Sequence, residues 1–232
     1  MTSKAYKNEI DQLFEDVATM AEKAKKTVSL AVDAFINVDQ TNVSEVKRLD
    51  DEIYSMEVMI EKRCIDQIAL HAPLATDLRV VFVIMKVITD INRMGRYANN
   101  IADLAGKQRT DIEFEYPLLA MSKKSISLVS EAIDSLLEKD VEKANCLFKK
   151  DKEVDSMWAS ISRESLTYMM EDPRHITKGM EFILVARYLE RIADHACNIG
   201  KRVNYLGYGD TAQIFETQKE ELTERYITGK VG

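Results

Sequence analysis

Apolar side chains recur along this chain at intervals of three and four residues. Over residues 9–37 they fall at Ile10, Leu13, Phe14, Val17, Met20, Ala21, Ala24, Val28, Ala31, Val32 and Phe35, the pattern of one buried helix face. Thr41-Asn42-Val43-Ser44 supplies a second helix start, and the period resumes through Val46, Leu49, Ile53, Met56, Ile60, Cys64 and Ile68. His71-Ala72-Pro73 breaks that helix, because proline restricts the residue before it and cannot donate to the ladder. Thr76 is placed to cap a third helix that runs through Val81, Met85, Ile88, Ile91, Met94, Ala98 and Ile101 to about Ala105. The polar stretch 106–116, closed by Pro117, is the one linker the pattern predicts.

After Pro117 the pattern repeats, with helices expected to about Lys139, from Val141 to Met170 and from Ile176 to Leu206. At an offset of 101, Ala31, Asp33, Asp39, Asp50, Glu52, Ser55 and Met56 meet Ala132, Asp134, Asp140, Asp151, Glu153, Ser156 and Met157. At an offset of 98, Arg93, Ala98, Asn100 and Ile101 meet Arg191, Ala196, Asn198 and Ile199. The change of three is absorbed in a loop, where length varies freely. An all-α fold of two tandem three-helix bundles follows, with units at 5–106 and 115–207 and a tail at 208–232. Within that tail, residues 211–225 carry only Ile214, Phe215 and Leu222 as an apolar stripe, the mark of a docked or frayed end.

Composition agrees with long helices. The chain has 8 Gly and 3 Pro in 232 residues, and its first glycine is Gly95, which excludes collagen-like and turn-rich sheet classes. A net charge of −7 leaves no basic footprint for nucleic acid. The longest apolar run, Val80 to Met85, falls far short of the roughly 20 residues a membrane span needs. The first residues turn polar at once, unlike a secretory signal. Cys64, Cys146 and Cys197 are odd in number and widely spaced, as expected of reduced thiols filling a core in a cytoplasmic protein.

Two acidic pairs are the candidate chemistry: Asp151/Asp155 on the fifth helix and Glu190/Asp194 on the sixth. At i, i+4 the carboxylates of each pair share a face, ~6 Å apart along the axis. Val154, Met157 and Trp158 flank the first pair, and Leu189, Ile192 and Ala193 the second, so both lie at or beside buried stripes where isolated charge is costly. On antiparallel neighbouring helices they offer four carboxylates to one hard cation or a small cluster, with His195 adjoining. The competing reading is that Arg187, Arg191 and the lysines around Asp151 neutralise them. No Walker loop, Gly-x-Ser-x-Gly, His-Glu-x-x-His or Glu-x-x-His motif occurs, and His71 and His175 sit at helix ends, so no enzyme class is indicated.

Three segments resemble the PhoU family: Leu70-His71-Ala72-Pro73-Leu74-Ala75-Thr76-Asp77-Leu78-Arg79, Glu171-Asp172-Pro173-Arg174, and Tyr188-Leu189-Glu190-Arg191-Ile192-Ala193-Asp194-His195-Ala196-Cys197-Asn198-Ile199. The resemblance spans about residues 8–206 in the same order and with the same duplication. It implies a cytoplasmic, non-enzymatic negative regulator of phosphate uptake that links the phosphate ABC transporter ATPase to a sensor histidine kinase. It also implies iron or zinc clusters held by paired acids, one site per repeat; long helix faces suit a homodimer.

This sequence departs from that pattern in its first repeat. Asp155, Glu190, Asp194 and His195 are matched there by Tyr54, Asn92, Arg96 and Tyr97, and only Asp50 keeps its charge. The metal expectation is therefore confined to Asp151, Asp155, Glu190 and Asp194, with Arg96 expected to replace the first-repeat cation by pairing with Asp50. The ending after the sixth helix also departs from the family's. Two other functions remain open at this stage: a metal-storage protein or metalloenzyme built on the four acids, and a related regulator of another ion transporter.

Overall fold

In the computed structural model, described for residues 4–73, 76–105 and 115–207, six long helices and one short 3-10 turn account for nearly all of the described residues. The tail at 208–232 and most of the linker lie outside the described residues. Helices α1 (Lys4–Asn37), α2 (Gln40–His71) and α3 (Thr76–Asp103) pack mutually, as do α4 (Glu115–Glu138), α5 (Val141–Glu171) and α6 (Ile176–Gly207). The bundles meet along α1 against α4 and α3 against α6, and one apolar cluster runs through both. Among the described residues there is no strand, and no helix is long and apolar enough to cross a membrane.

The ends of the helices follow local chemistry. Asp39 and Asp140 cap α2 and α5 from near-identical backbone angles, φ −91° and ψ 102° or 103°. The Asp39 carboxylate accepts from the Thr41 and Asn42 amides, and that of Asp140 from the Lys143 amide. Each cap follows a residue at positive φ, Val38 at 57° and Lys139 at 55°, so even the strained approach to the cap is duplicated. The start of α2 is thus set by Asp39 rather than by Thr41. Helix α4 begins two residues ahead of Pro117, which falls in the first turn where an amide would go unused. Helix α1 reaches back beyond residue 9, where buried Tyr6 donates its hydroxyl to the Asp77 carbonyl at 3.3 Å.

Contacts along the seam between the repeats fix its polarity. Phe82 of α3 faces Tyr205 of α6, Asp90 faces His195, and Tyr97 faces Tyr188. Numbers rise on one helix as they fall on the other, so α3 and α6 are antiparallel. The α2–α3 and α5–α6 turns therefore lie at opposite ends of the molecule. At the offset of 98, Asp90 corresponds to Tyr188 and Tyr97 to His195, so the duplication exchanges an acid–imidazole pair with a tyrosine stack.

Candidate functional site: an acid cluster between α5 and α6

The core stripe of α5 (Ala144, Leu147, Val154, Ile161) packs on that of α6 (Val185, Leu189, Ile192, Ala196), and the acids ride at its edge. Close approach of the helices depends on Gly200, where a Cβ would lie 2.9 Å from Leu147 Cδ1 and 3.3 Å from the Ala144 carbonyl oxygen. Asp151, Asp155, Glu190 and Asp194 come together as one electrostatic unit. Burial, followed by the charges of Asp155 and Asp194, pushes the Asp151 carboxyl up to about 6. Burial and the Asp194 charge push Glu190 up to about 7, against the lowering pull of Arg187 and Arg191.

Arginines on α6 compensate part of this charge. Arg187 Nη1 donates to Glu190 Oε1 at 2.7 Å, and Arg191 Nη1 to Asp194 Oδ2 at 3.2 Å. The Arg187 guanidinium also lies 5.2 Å from the Trp158 ring centroid. The nearby Cys197 thiol and the Lys201 charge act on Asp151 in the opposite sense to burial, favouring its ionised form. Two buried oxygens, Asp151 Oδ1 and Glu190 Oε2, nevertheless have no hydrogen-bond partner, although Arg191 Nε stands 3.7 Å from Glu190 Oε2.

These donors suit iron or zinc in kind and number, but their spacing is that of an ion-paired cluster. Among the described residues no group of three or more His, Cys, Asp or Glu converges on a metal position. The orphaned oxygens are the part of the arrangement that a cation would satisfy, with Arg187 and Arg191 withdrawn.

His195, expected to adjoin this cluster, is bonded elsewhere. Its Nδ1 lies 2.8 Å from Asp90 Oδ1 across the seam, with both residues buried. The helical register explains this, since His195 lies on the α6 face that meets α3. Asp90 was not singled out in the sequence, although Val83, Val87, Asp90 and Met94 form a continuous i, i+4, i+7, i+11 stripe. An acid within such a stripe signals a buried partner. The other histidines stay at helix ends: His71 packs edge-on to Tyr6, and His175 stacks on Tyr168 at 3.8 Å. Cys64 and Cys197 are buried, with the Cys64 thiol pushed up to about 12 by burial, whereas Cys146 is exposed and so is not core filler.

In the first repeat the same backbone positions carry different chemistry. Arg96 Nη1 donates to Asp50 Oδ2 at 3.1 Å, as its spacing predicts. Only 3% of the Asp50 side chain is exposed, against 53% for Arg96, so a solvated cation covers a buried acid. Burial pushes the Asp50 carboxyl up, and Arg96 opposes this. Tyr54, opposite Asp155, lies under the Arg96 guanidinium at 5.8 Å. Gly95 admits Asp50 closely, since a Cβ there would lie 3.2 Å from Asp50 Oδ1.

Comparison with known proteins gives a consistent result. The PhoU domain family model matches twice, at residues 17–105 and 118–203. A Deinococcus radiodurans protein named "Phosphate-specific transport system accessory protein PhoU homolog" is 32% identical over 204 residues, covering 87% of this chain and 96% of its own. The Escherichia coli protein named "Phosphate-specific transport system accessory protein PhoU" is 31% identical over 232 residues, covering 98% of this chain and 94% of its own. The crystal structure of PhoU from Pseudomonas aeruginosa superposes with a TM-score of 0.82 at 32% identity, covering 88% of this chain and 100% of that one.

Proposed function

This chain belongs to the PhoU domain family, and from that premise we propose that it is a negative regulator of phosphate uptake and of the phosphate-starvation response. It works in the cytoplasm as an adaptor between the phosphate ABC transporter ATPase and a sensor histidine kinase. It forms a homodimer and catalyses no reaction. The observation that carries this is the end-to-end match, both repeats included, to relatives named as accessory proteins of phosphate-specific transport. An adaptor stabilises one signalling state by binding it better than the other, which needs surfaces rather than a reactive centre. Removing the protein from its own cells should derepress phosphate uptake and starvation genes in phosphate-rich medium. Unchanged uptake and unchanged gene expression would defeat the proposal.

Within the same reading, Asp151, Asp155, Glu190 and Asp194 take iron or zinc in the second repeat alone. The support is the donor set around the unpartnered Asp151 Oδ1; Asp50 Oδ1 in the first repeat is unpartnered too, but Tyr54, Asn92 and Arg96 stand where the other three acids would be. A storage protein or metalloenzyme is the alternative that this donor set also favours. Equilibrium dialysis against Zn²⁺ or Fe²⁺ should show binding to wild type that Asp151→Asn with Glu190→Gln abolishes. Equal metal content in both proteins would remove these acids from any metal role.

A further inference from the structure

The solvent side of α2 carries a second apolar row beside its core stripe. Tyr54, Val58, Ile65 and Ile68 are 49%, 48%, 51% and 37% exposed, and with Glu61 they recur at alternating steps of four and three. That spacing is the seam along which one helix packs on another. At ~1.5 Å per residue the row from Tyr54 to Ile68 is about 21 Å long, the length of about four helical turns.

A cationic row runs alongside it on α3. The Arg96 guanidinium lies 5.8 Å from the Tyr54 ring, and burial pushes the Glu57 carboxyl up against the pull of Thr89, Asn92 and Arg93. Numbers fall on α3 as they rise on α2, so Ile65 and Ile68 lie toward Lys86 and Phe82. Lys86, Arg93 and Arg96 are all exposed, and Glu61 is the one acid in the two rows. The duplicated face differs. Tyr54, Val58 and Glu61 become Asp155, Ala159 and Ser162 on α5, while Lys86, Arg93 and Arg96 become Leu184, Arg191 and Asp194 on α6. There Arg191 pairs with Asp194 at 3.2 Å. The second repeat therefore keeps neither the long apolar row nor the excess of cations.

We propose that the α2–α3 face seats an amphipathic α-helix of a partner protein. The apolar stripe of that helix lies along Tyr54, Val58, Ile65 and Ile68, and acids on its flank meet Lys86, Arg93 and Arg96. The face deepens the adaptor reading and rests on it for the partner's role, and it confines docking to the first repeat. Charge selects the occupant. A second copy packed about a two-fold axis at the middle of the row would set Glu61 against its own counterpart, like charge on like. An anionic bilayer would meet the same carboxylate at the centre of its contact, and a single four–three row is one helix wide rather than a plane.

A photo-crosslinking phenylalanine analogue in place of Ile65, in the full chain and in its own cells, tests this by the segment it captures. Mass spectrometry of the crosslinked peptide should show apolar residues at steps of three and four with an excess of Asp and Glu. The same analogue in place of Leu166, the matching position of the second repeat at 52% exposure, should not capture that segment. Val58→Glu should lower the Ile65 yield about ten-fold, and Arg93→Glu should lower it several-fold. Capture of a lipid, of a second copy of this chain, or of a basic or non-helical segment overturns the proposal, as does no capture at all. If Val58→Glu loses the helical circular dichroism of wild type, Arg93→Glu decides. The identity of the captured protein is a separate result. An acidic amphipathic helix from a protein that is neither a transporter component nor a kinase upholds the face and defeats the adaptor reading. A transporter ATPase or kinase held through a segment of other chemistry overturns the face alone.

Discussion

Glu190 and Asp151, both in the second repeat, are carboxyls that burial and neighbouring acids shift in the same direction. Both carboxyls keep their protons to higher pH in the folded chain than in the unfolded one, near 7 and 6 against ordinary values of 4.5 and 3.8. Their stabilising contribution is therefore complete below the unfolded values and is lost as pH rises through about 6 to 7. For Glu190 the difference is on the order of 3 kcal/mol in the metal-free protein. Urea titrations of Glu190→Gln should show a clearly smaller fall in stability between pH 5 and pH 8 than wild type. An unchanged pH slope would mean that the carboxyl is solvated. In the first repeat, Arg96→Ala strands buried Asp50 and should cost about 1–2 kcal/mol, less than a fully buried pair because Arg96 is half exposed. Asp50→Asn in that background should recover most of the loss in the same urea measurement. No loss with Arg96→Ala would show that the guanidinium does not serve as the cation. The Arg96–Asp50 pair was legible in the sequence because the duplication named both positions. His195 was not, since its partner lies 105 residues away on another helix.

At the scale of elements, periodicity carried most of the information. Six amphipathic stripes fix six helices, because a stripe wide enough to bury one face is hard to satisfy in any other conformation. The ends were less legible. Thr41 and Pro117 are good local signals, but Asp39 reaches two amides from two residues further back, and proline is tolerated within a first turn. Matched cap geometry makes a matched prediction. Asp39→Ala and Asp140→Ala should each lower stability by about 1 kcal/mol in chemical denaturation. Losses differing several-fold would mean that the shared backbone angles do not reflect shared energetics.

For the whole molecule, the seam between α3 and α6 decides how two similar bundles become one body. It joins apolar side chains from both repeats around one buried acid–imidazole pair, with the Tyr97–Tyr188 stack in the position related to it by the duplication. A double-mutant cycle on Asp90→Asn and His195→Gln should give a coupling of about 1–3 kcal/mol; a coupling near zero would reduce the pair to a bystander. The sequence disclosed the tandem architecture through its two offsets. It did not disclose the antiparallel seam, because nothing in a single helix specifies which face of its duplicate it meets. The proposed adaptor role rests on surfaces at this scale. Its direct test is crosslinked affinity capture of the native protein from its own cells in high and low phosphate. The account predicts recovery of a phosphate-transporter ATPase or a sensor kinase, in amounts that change with phosphate; capture of neither in either medium would contradict it.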